Sequence, residues 1–377
     1  MNFALDEEQE MLKKTAHAFL SDKCPKTLVK EMQEDKRGYS PELWQKMAEL
    51  GWMGLVIPEK YGGSGMSFLD LSVLLEETGR ACLPGPFFST VVLGALPIID
   101  EGTEEQKQEY LTKIATGEAI LTLALTEPSA KYDAASIAVK ASRNKDTYII
   151  HGTKLFVPDA HIADCLLCVV RTREQVKEGD GITTFLVDAK SPGINYTVLK
   201  TIANDKLCEV AFDQVKVPEG NILGKLDHGW SVVQKIIEQA AVAKCCEMLG
   251  SMQQVLEMTI DYANERRQFD RPIGSFQIIQ HYCANMATDV DGSRYSTYQA
   301  AWMLSEGLPC RKEVAIAKAW ISEAYERVIA LAHQIHGAIG VTIDHDLQYY
   351  TRRAKAAQLT FGDADFYREI VAQEMGL

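Results

Sequence analysis

Two separated runs of this chain have residue types and spacing that suit a large anionic ligand. Gln334-Ile335-His336-Gly337-Ala338-Ile339-Gly340 spaces two glycines closely, and a glycine lets backbone approach a bulky group because it has no Cβ to clash. Arg266-Arg267-Gln268-Phe269 supplies guanidinium forks, which match a pyrophosphate in bidentate fashion. A plainer reading stands beside each. Gly337 serves equally as a helix C-cap, and paired arginines at a helix end are also favoured by the helix dipole as solvated cations. His336 and His345 read as satisfied structural histidines rather than ligands.

The elements that must hold these residues follow from periodicity. Asp6 to Leu20 repeats apolar residues at helical spacing with acids in its first turn, where the dipole favours them. Ser40-Pro41-Glu42-Leu43 predicts a capped helix running to about Leu50 and stopping at Gly51. Further helices are predicted over 68–80, 88–99 and 104–116. Short runs rich in β-formers then occupy 120–125, 136–141, 148–152, 154–157, 165–171, 183–187, 196–200 and 208–217, which suggests a compact barrel or sandwich. Asn144-Lys145-Asp146 and Ser191-Pro192-Gly193 read as turns. Helical periodicity returns over 230–264, 275–305 and 310–335 and in shorter pieces to Leu377, the pattern of an antiparallel bundle.

Composition narrows the function classes. With 377 residues the chain can bury a large core, and its 46% hydrophobic and 24% charged content is ordinary for a globular protein. A net charge of -13 argues against a general nucleic-acid surface. The nine cysteines are read as neither zinc ligands nor a disulfide framework, so no metal is expected and a reducing compartment fits. Met1 to Glu10 holds four acidic residues and no apolar run, unlike a secretory signal or an Arg-rich transit peptide. No run of about 18 apolar residues is present to span a membrane. A cytoplasmic setting is expected.

Taken together, Thr126-Glu127-Pro128, Arg266-Arg267-Gln268-Phe269 with Pro272-Ile273-Gly274-Ser275-Phe276-Gln277, the Gln334–Gly340 run and Arg352-Arg353-Ala354-Lys355 resemble the acyl-CoA dehydrogenase family from end to end. The resemblance implies an α+β multidomain fold: an N-terminal α-helical domain over 1–118, a central β-barrel over 119–224, and a C-terminal four-helix bundle over 225–377. It implies FAD as cofactor and an acyl-CoA thioester as substrate. Leu125 and Thr126 would lie along the flavin ring, and Phe156 takes the place of a flavin-facing Trp, although a buried core Phe is a rival reading. Pro158 stands where relatives have Thr. Arg266, Gln268, Phe269, Gln334, Gly337, Ala338 and Gly340 would meet FAD across a subunit interface, with Asp363 and Asp365 at further cofactor positions. Tyr132, Glu238, Ala241, Phe361 and Gly362 would lie toward the acyl-CoA. Asp270 and Ala338 replace family glycines, and Ser129-Ala130-Lys131-Tyr132-Asp133 replaces a Gly-Ala-Gly-Ser-Asp loop.

The same resemblance exposes a gap. The family's catalytic Glu, in Tyr-Glu-Gly, aligns with Phe361 of Thr360-Phe361-Gly362, and the alternative position of the base aligns with Ala240. Neither side chain accepts a proton, so the catalytic residue is unassigned. Glu238, Glu247, Asp363 and Asp365 are the neighbouring acids. Three readings stand: a dehydrogenase with a relocated base, a base-deficient subunit of a heteromeric dehydrogenase, and a non-oxidising or lyase-like member that binds flavin or CoA. An electron-transfer flavoprotein would accept the electrons. Self-association as a dimer or homotetramer, or assembly with a homologous partner, is implied by the shared FAD site.

Overall fold

A computed structural model describes residues 5–174, 177 and 179–377. In chain order, α1 (Glu7–Lys23), α2 (Lys26–Glu34), α3 (Pro41–Glu49) and α4 (Phe68–Ala81) come first. The short helices α5 (Phe87–Thr90), α6 (Leu96–Glu101), α7 (Glu104–Gln106) and α8 (Thr112–Ala115) follow, joined in pairs by π-helical turns at Val91–Ala95 and Lys107–Leu111. Eight strands come next: β1 (Leu121–Ala124), β2 (Lys140–Asn144), β3 (Thr147–Pro158), β4 (Cys165–Arg171), β5 (Ile182–Asp188), β6 (Ile194–Val198), β7 (Leu207–Pro218) and β8 (Ile222–Leu223). The remainder is α9 (Trp230–Glu265), a small hairpin of β9 (Arg267–Gln268) and β10 (Arg271–Pro272), α10 (Gln277–Ser305), α11 (Arg311–His336), α12 (Leu347–Leu359) and α13 (Ala364–Glu374).

Local chemistry sets these limits. Asp6 accepts from the Gln9 N–H while the Gln9 side chain returns to the Asp6 N–H, a reciprocal capping box that opens α1. Ser40 caps α3 with Pro41 in the first turn, as its sequence predicts, and Gly51 follows at φ +77°. The helix α2 is absent from the sequence reading. It follows Pro25 directly and has no acid in its first turn and no base in its last, so the end signals that betray other helices are lacking.

The chain divides into two compact units. One takes Glu31–Ser67 and Pro84–Ala240, and its centre is a single hydrogen-bonded sheet in the order β6-β7-β3-β2-β4-β5-β8, with β1 added in parallel to β4. Among the described residues this path is open, beginning at β6 and ending at β8, so the expected barrel is not closed by backbone pairing. β4 and β5 are buried on both faces almost throughout. Two other expectations are corrected. The runs at 148–152 and 154–157 are one strand, β3, bent by register shifts against β7. Residues 136–139 precede the strand, which begins at Lys140, and Asp133 caps a 3-10 turn at Ala134–Ser136 just before them. The predicted turn at Asn144-Lys145-Asp146 is present, with Asn144 opposite Thr147.

Cys165-Leu166-Leu167-Cys168 does have CxxC spacing, which the reading of the cysteines passes over. It lies in β4, where residues three apart point to opposite faces. Burial pushes both thiols up to about 12, the opposite of what a redox or ligand pair needs.

The other unit takes the described part of Met1–Lys30, Phe68–Leu83 and Ala241–Leu377. Its core joins early and late sequence. At the crossing of α4 and α9, a Cβ on Gly79 would lie 2.0 Å from the Glu247 carbonyl oxygen, and one on Gly250 would lie 1.7 Å from that of Glu76. The two backbones touch there. Beside the crossing, the buried Glu76 carboxylate takes hydrogen bonds from Lys13 at 3.0 Å, Arg294 at 2.7 Å and the Tyr298 hydroxyl at 2.6 Å. Burial opposes ionisation of Glu76, but the two cations and the phenol win and hold it below the usual carboxylate range. Met252 and Met286 are core, whereas Trp320 is partly exposed beneath Arg327.

Candidate active site

In the sheet-containing unit, the segment after β1 is pinned from beneath. The Leu155 N–H donates to the Thr126 carbonyl at 2.8 Å. Lys154, wholly buried in β3, reaches the Leu125 carbonyl at 3.0 Å and the Glu127 carboxylate at 2.6 Å. Glu127 also accepts from the Ala138 and Val139 N–H groups. Burial drives the Lys154 ammonium downward, with Cys168 and Glu127 opposing it. Leu125 is buried and Thr126 half-buried. The Thr122 hydroxyl donates to the Pro158 carbonyl at 2.6 Å. Leu125, Thr126, Phe156 and Pro158 are thus brought together by β1 and β3.

Phe156 is not a fully buried core residue. It sits at the second register shift of β3 with φ +54°, and it is 49% exposed. A left-handed non-glycine residue costs about 1–2 kcal/mol, and core packing does not repay it here because the ring faces outward. Tyr132 and Glu238 are half-buried and Ala240 is fully buried.

In the helical unit, the two opening motifs meet through aromatic stacking. Tyr262, one turn before Arg266, stacks on His336 with ring centroids 4.5 Å apart. Arg266 and Gln268 are exposed just past the end of α9. The hairpin between Gln268 and Arg271 turns through Phe269 at φ +51° and Asp270 at φ +61°, both positive as a two-residue type I′ connection requires. Phe269 is 86% exposed.

The glycines of the second motif have different tasks. Gly337 ends α11 at φ +63° and ψ −141°, with open space where a Cβ would stand. Gly340 is a packing glycine, since its Cβ would meet His336 Cβ at 2.9 Å and Leu347 Cδ2 at 3.2 Å. Gln334 and Ala338 are exposed. His336 is buried with Nδ1 against the Ala332 carbonyl at 2.9 Å, His333 Nε2 meets the Thr351 hydroxyl at 2.8 Å, and His345 Nδ1 accepts from the Leu347 N–H at 3.2 Å. Desolvation lowers the pKa of His333 and of His336. Among the described residues no group of three or more His, Cys, Asp or Glu side chains is placed to hold a metal ion.

The turn that carries Phe361 is clamped from below. Phe361 is buried at φ +60° and Gly362 follows at φ +106°. The Tyr367 hydroxyl donates to the Phe361 carbonyl at 2.7 Å, and the buried Lys318 ammonium donates to that of Gly362 at 2.9 Å. Asp363 caps α13 through the Phe366 N–H, and Asp365 pairs with Arg368 at 2.8 Å. Ala241 is buried, and Glu247 pairs with Lys244 on the same helix. Lys154, Lys318, Tyr262 and Tyr367 have no site role in the sequence reading. Lys318 did leave a signal, because it interrupts an otherwise apolar stretch from Val314 to Ile321.

Three family profiles match in order: the acyl-CoA dehydrogenase N-terminal domain over residues 6–118, its middle domain over 122–215, and its C-terminal domain over 227–376. A probable acyl-CoA dehydrogenase of Bacillus subtilis, YngJ, is 32% identical over 382 residues and covers all of both chains. The chain belongs to the acyl-CoA dehydrogenase family. It therefore has the family's N-terminal helical, middle β and C-terminal helical domains. Butyryl-CoA dehydrogenase from Megasphaera elsdenii matches this acyl-CoA dehydrogenase chain with a TM-score of 0.93 at 29% identity, covering 100% of each chain. The ChsE4-ChsE5 complex from Mycobacterium tuberculosis matches with a TM-score of 0.91 at 28% identity, covering 100% of this chain and 99% of that one. No helix among the described residues is long and apolar enough to cross a membrane.

Proposed function

We propose that this chain is an FAD-dependent acyl-CoA dehydrogenase that acts at the α,β-bond of an acyl-CoA thioester and lacks its own proton acceptor at both usual positions. Phe156 supports the cofactor best. An aromatic ring left half-exposed on a bulge at positive φ is only partly used for packing in its own chain, and it offers a flat apolar surface at small entropic cost. Thr126 lies on the neighbouring segment, its backbone fixed by the Glu127–Lys154 pair, to meet the polar edge of a flavin. Arg266 and Gln268 would hold the pyrophosphate, with Phe269, Gln334, Gly337, Ala338 and Gly340 around it. FAD, when bound, supplies the acceptor for a hydride leaving the β-carbon. Domain limits near 118 and 224, with the middle domain wrapped as a barrel, belong to the same reading.

Neither usual position serves the proton, and three of the four neighbouring acids are engaged elsewhere. Phe361 and Ala240 carry no titratable group. Glu247 is held by Lys244, Asp365 by Arg368, and Asp363 caps a helix. Loss of a positioned general base costs about 10²–10⁴-fold in rate. These engaged acids favour a second reading, in which a homologous subunit supplies the carboxylate and this chain completes the FAD sites. The likeness to a two-protein complex supports it. Exposed Phe269, Ile339, Val341 and Ile343 offer an apolar surface for self-association as a dimer or tetramer, or for such a partner. An electron-transfer flavoprotein would then remove the electrons.

The test is to purify the chain alone, record its flavin absorbance, and add a panel of acyl-CoAs without oxygen. Bleaching identifies a self-sufficient dehydrogenase. Bleaching only after a homologous subunit is added identifies the heteromer. Flavin that stays oxidised under both conditions overturns the oxidative reading and leaves a non-oxidising member.

A further inference from the structure

Lys318 is a buried cation whose acceptors are all uncharged. From α11 its ammonium reaches the Ser322 hydroxyl at 3.2 Å, the Ala357 and Gln358 carbonyls at 3.1 Å each, and the Gly362 carbonyl at 2.9 Å. Two of these acceptors lie in the last turn of α12, where carbonyls have no partner within the helix and where a cation complements the dipole. The fourth lies beyond the helix, immediately after Phe361. One ammonium therefore ties a helix end to the turn that follows it. That turn needs a tie. Phe361 and Gly362 both have positive φ, and a left-handed Phe persists only where its surroundings enforce it.

We propose that Lys318 is a positioning residue: it holds the 360–363 turn so that residue 361 keeps its place on the acyl side of the site. This rests on the acyl-CoA reading above. The alternative is a helix cap with no influence on the ligand. Charge distinguishes the two. Burial pushes the Lys318 amine down to about 8, with Cys245 and Asp363 opposing and the Lys244 charge assisting. The Tyr367 ring of α13 lies 5.9 Å away, and the Cys245 thiol on α9 is itself pushed up to about 12 by burial. Raising the pH through 8 therefore strips one donor from the clamp while Cys245 stays protonated.

The experiment compares the wild-type holoprotein with Lys318→Met, which keeps length and apolar bulk but has no donor. Acyl-CoA affinity is followed through the perturbation of flavin absorbance from about pH 6.5 to 9.5, bracketing the titration. The wild type is expected to lose affinity about tenfold across the range, the scale of one charge-assisted hydrogen bond. Lys318→Met should bind FAD normally, start at the weakened affinity and show no break. Amide exchange of the 356–366 segment, measured on cofactor-free protein at fixed pH, should be about tenfold faster in the variant. Equal exchange with a flat wild-type pH profile overturns the proposal. Faster exchange with unchanged, pH-independent affinity overturns it also, and leaves only the cap. Should Lys318→Met not fold, the wild-type pH profile decides alone. A wild type that takes up neither FAD nor acyl-CoA defeats the function proposed above, and the exchange comparison then decides for or against the clamp.

Discussion

Glu127 and Lys154 form an ion pair at 2.6 Å, with side chains 4% and 0% exposed, directly beneath the Leu125–Thr126 backbone. Removing one member of such a pair strands a charge in a dry interior, at a cost of about 3–5 kcal/mol. Glu127→Gln should approach that figure, since it leaves the Lys154 ammonium without a counter-charge. Lys154→Met should cost less, because the Ala138 and Val139 N–H groups still serve the carboxylate. The double variant should recover much of the loss. Urea unfolding of the four proteins measures each step.

Phe156 gives a test in which stability and binding part company. Phe156→Gly removes a half-exposed ring but relieves a positive φ, and these opposing effects should leave the melting temperature of the cofactor-free chain close to that of the wild type. FAD affinity should nevertheless fall about tenfold or more, the value of one well-packed aromatic contact. A parallel loss of melting temperature would return Phe156 to a structural role.

The histidines beside Gly337 predict an acid limit. Burial holds His333 and His336 below the ordinary 6.5, so the folded state resists taking up protons that the unfolded state accepts. Their contribution to stability is present above pH 6.5 and is lost as the pH falls beneath it. His345, His333, the Ala332 carbonyl and the Tyr262 ring surround His336. His336→Phe, which retains a ring to stack on Tyr262, should flatten the fall in melting temperature between about pH 5 and 7. An identical slope in both proteins would place the acid sensitivity elsewhere.

Phe361→Glu restores a carboxylate to a turn already held by Lys318 and Tyr367. Flavin reduction by a short acyl-CoA should rise by about 10²-fold or more over the wild-type chain alone. No gain would mean that the acyl group is not presented to position 361.

Much of this architecture was legible in the letters, and the exceptions share a cause. The long helices show their 3.6-residue period, and Ser40-Pro41 and Asn144-Lys145-Asp146 are local signals that need no tertiary context. The sequence divides β3 in two just after Gly152, beside the register shift between Ile150 and Gly152, and that shift is defined only by its partner β7. The same applies to site residues. Arg266, Gln334 and Phe361 could be named from motif, but Lys154 and Lys318 gain their roles from acceptors 27 to 44 residues distant. Tyr262 and His336 lie 74 residues apart, so their stacking could not be seen in either motif alone.

The glycine contact between α4 and α9 sets how the chain can be taken apart. Residues 68–83 belong to the same compact unit as residues 241–377, although they fall within the first of the three family profiles. A fragment cut after the N-terminal stretch would strip the late helices of the partner whose main chain touches theirs at Gly250, and leave Gly79 facing solvent. Excised pieces that follow profile boundaries would each carry half of a seam. The nascent chain, for the same reason, cannot complete this core until ribosomal synthesis has passed residue 250.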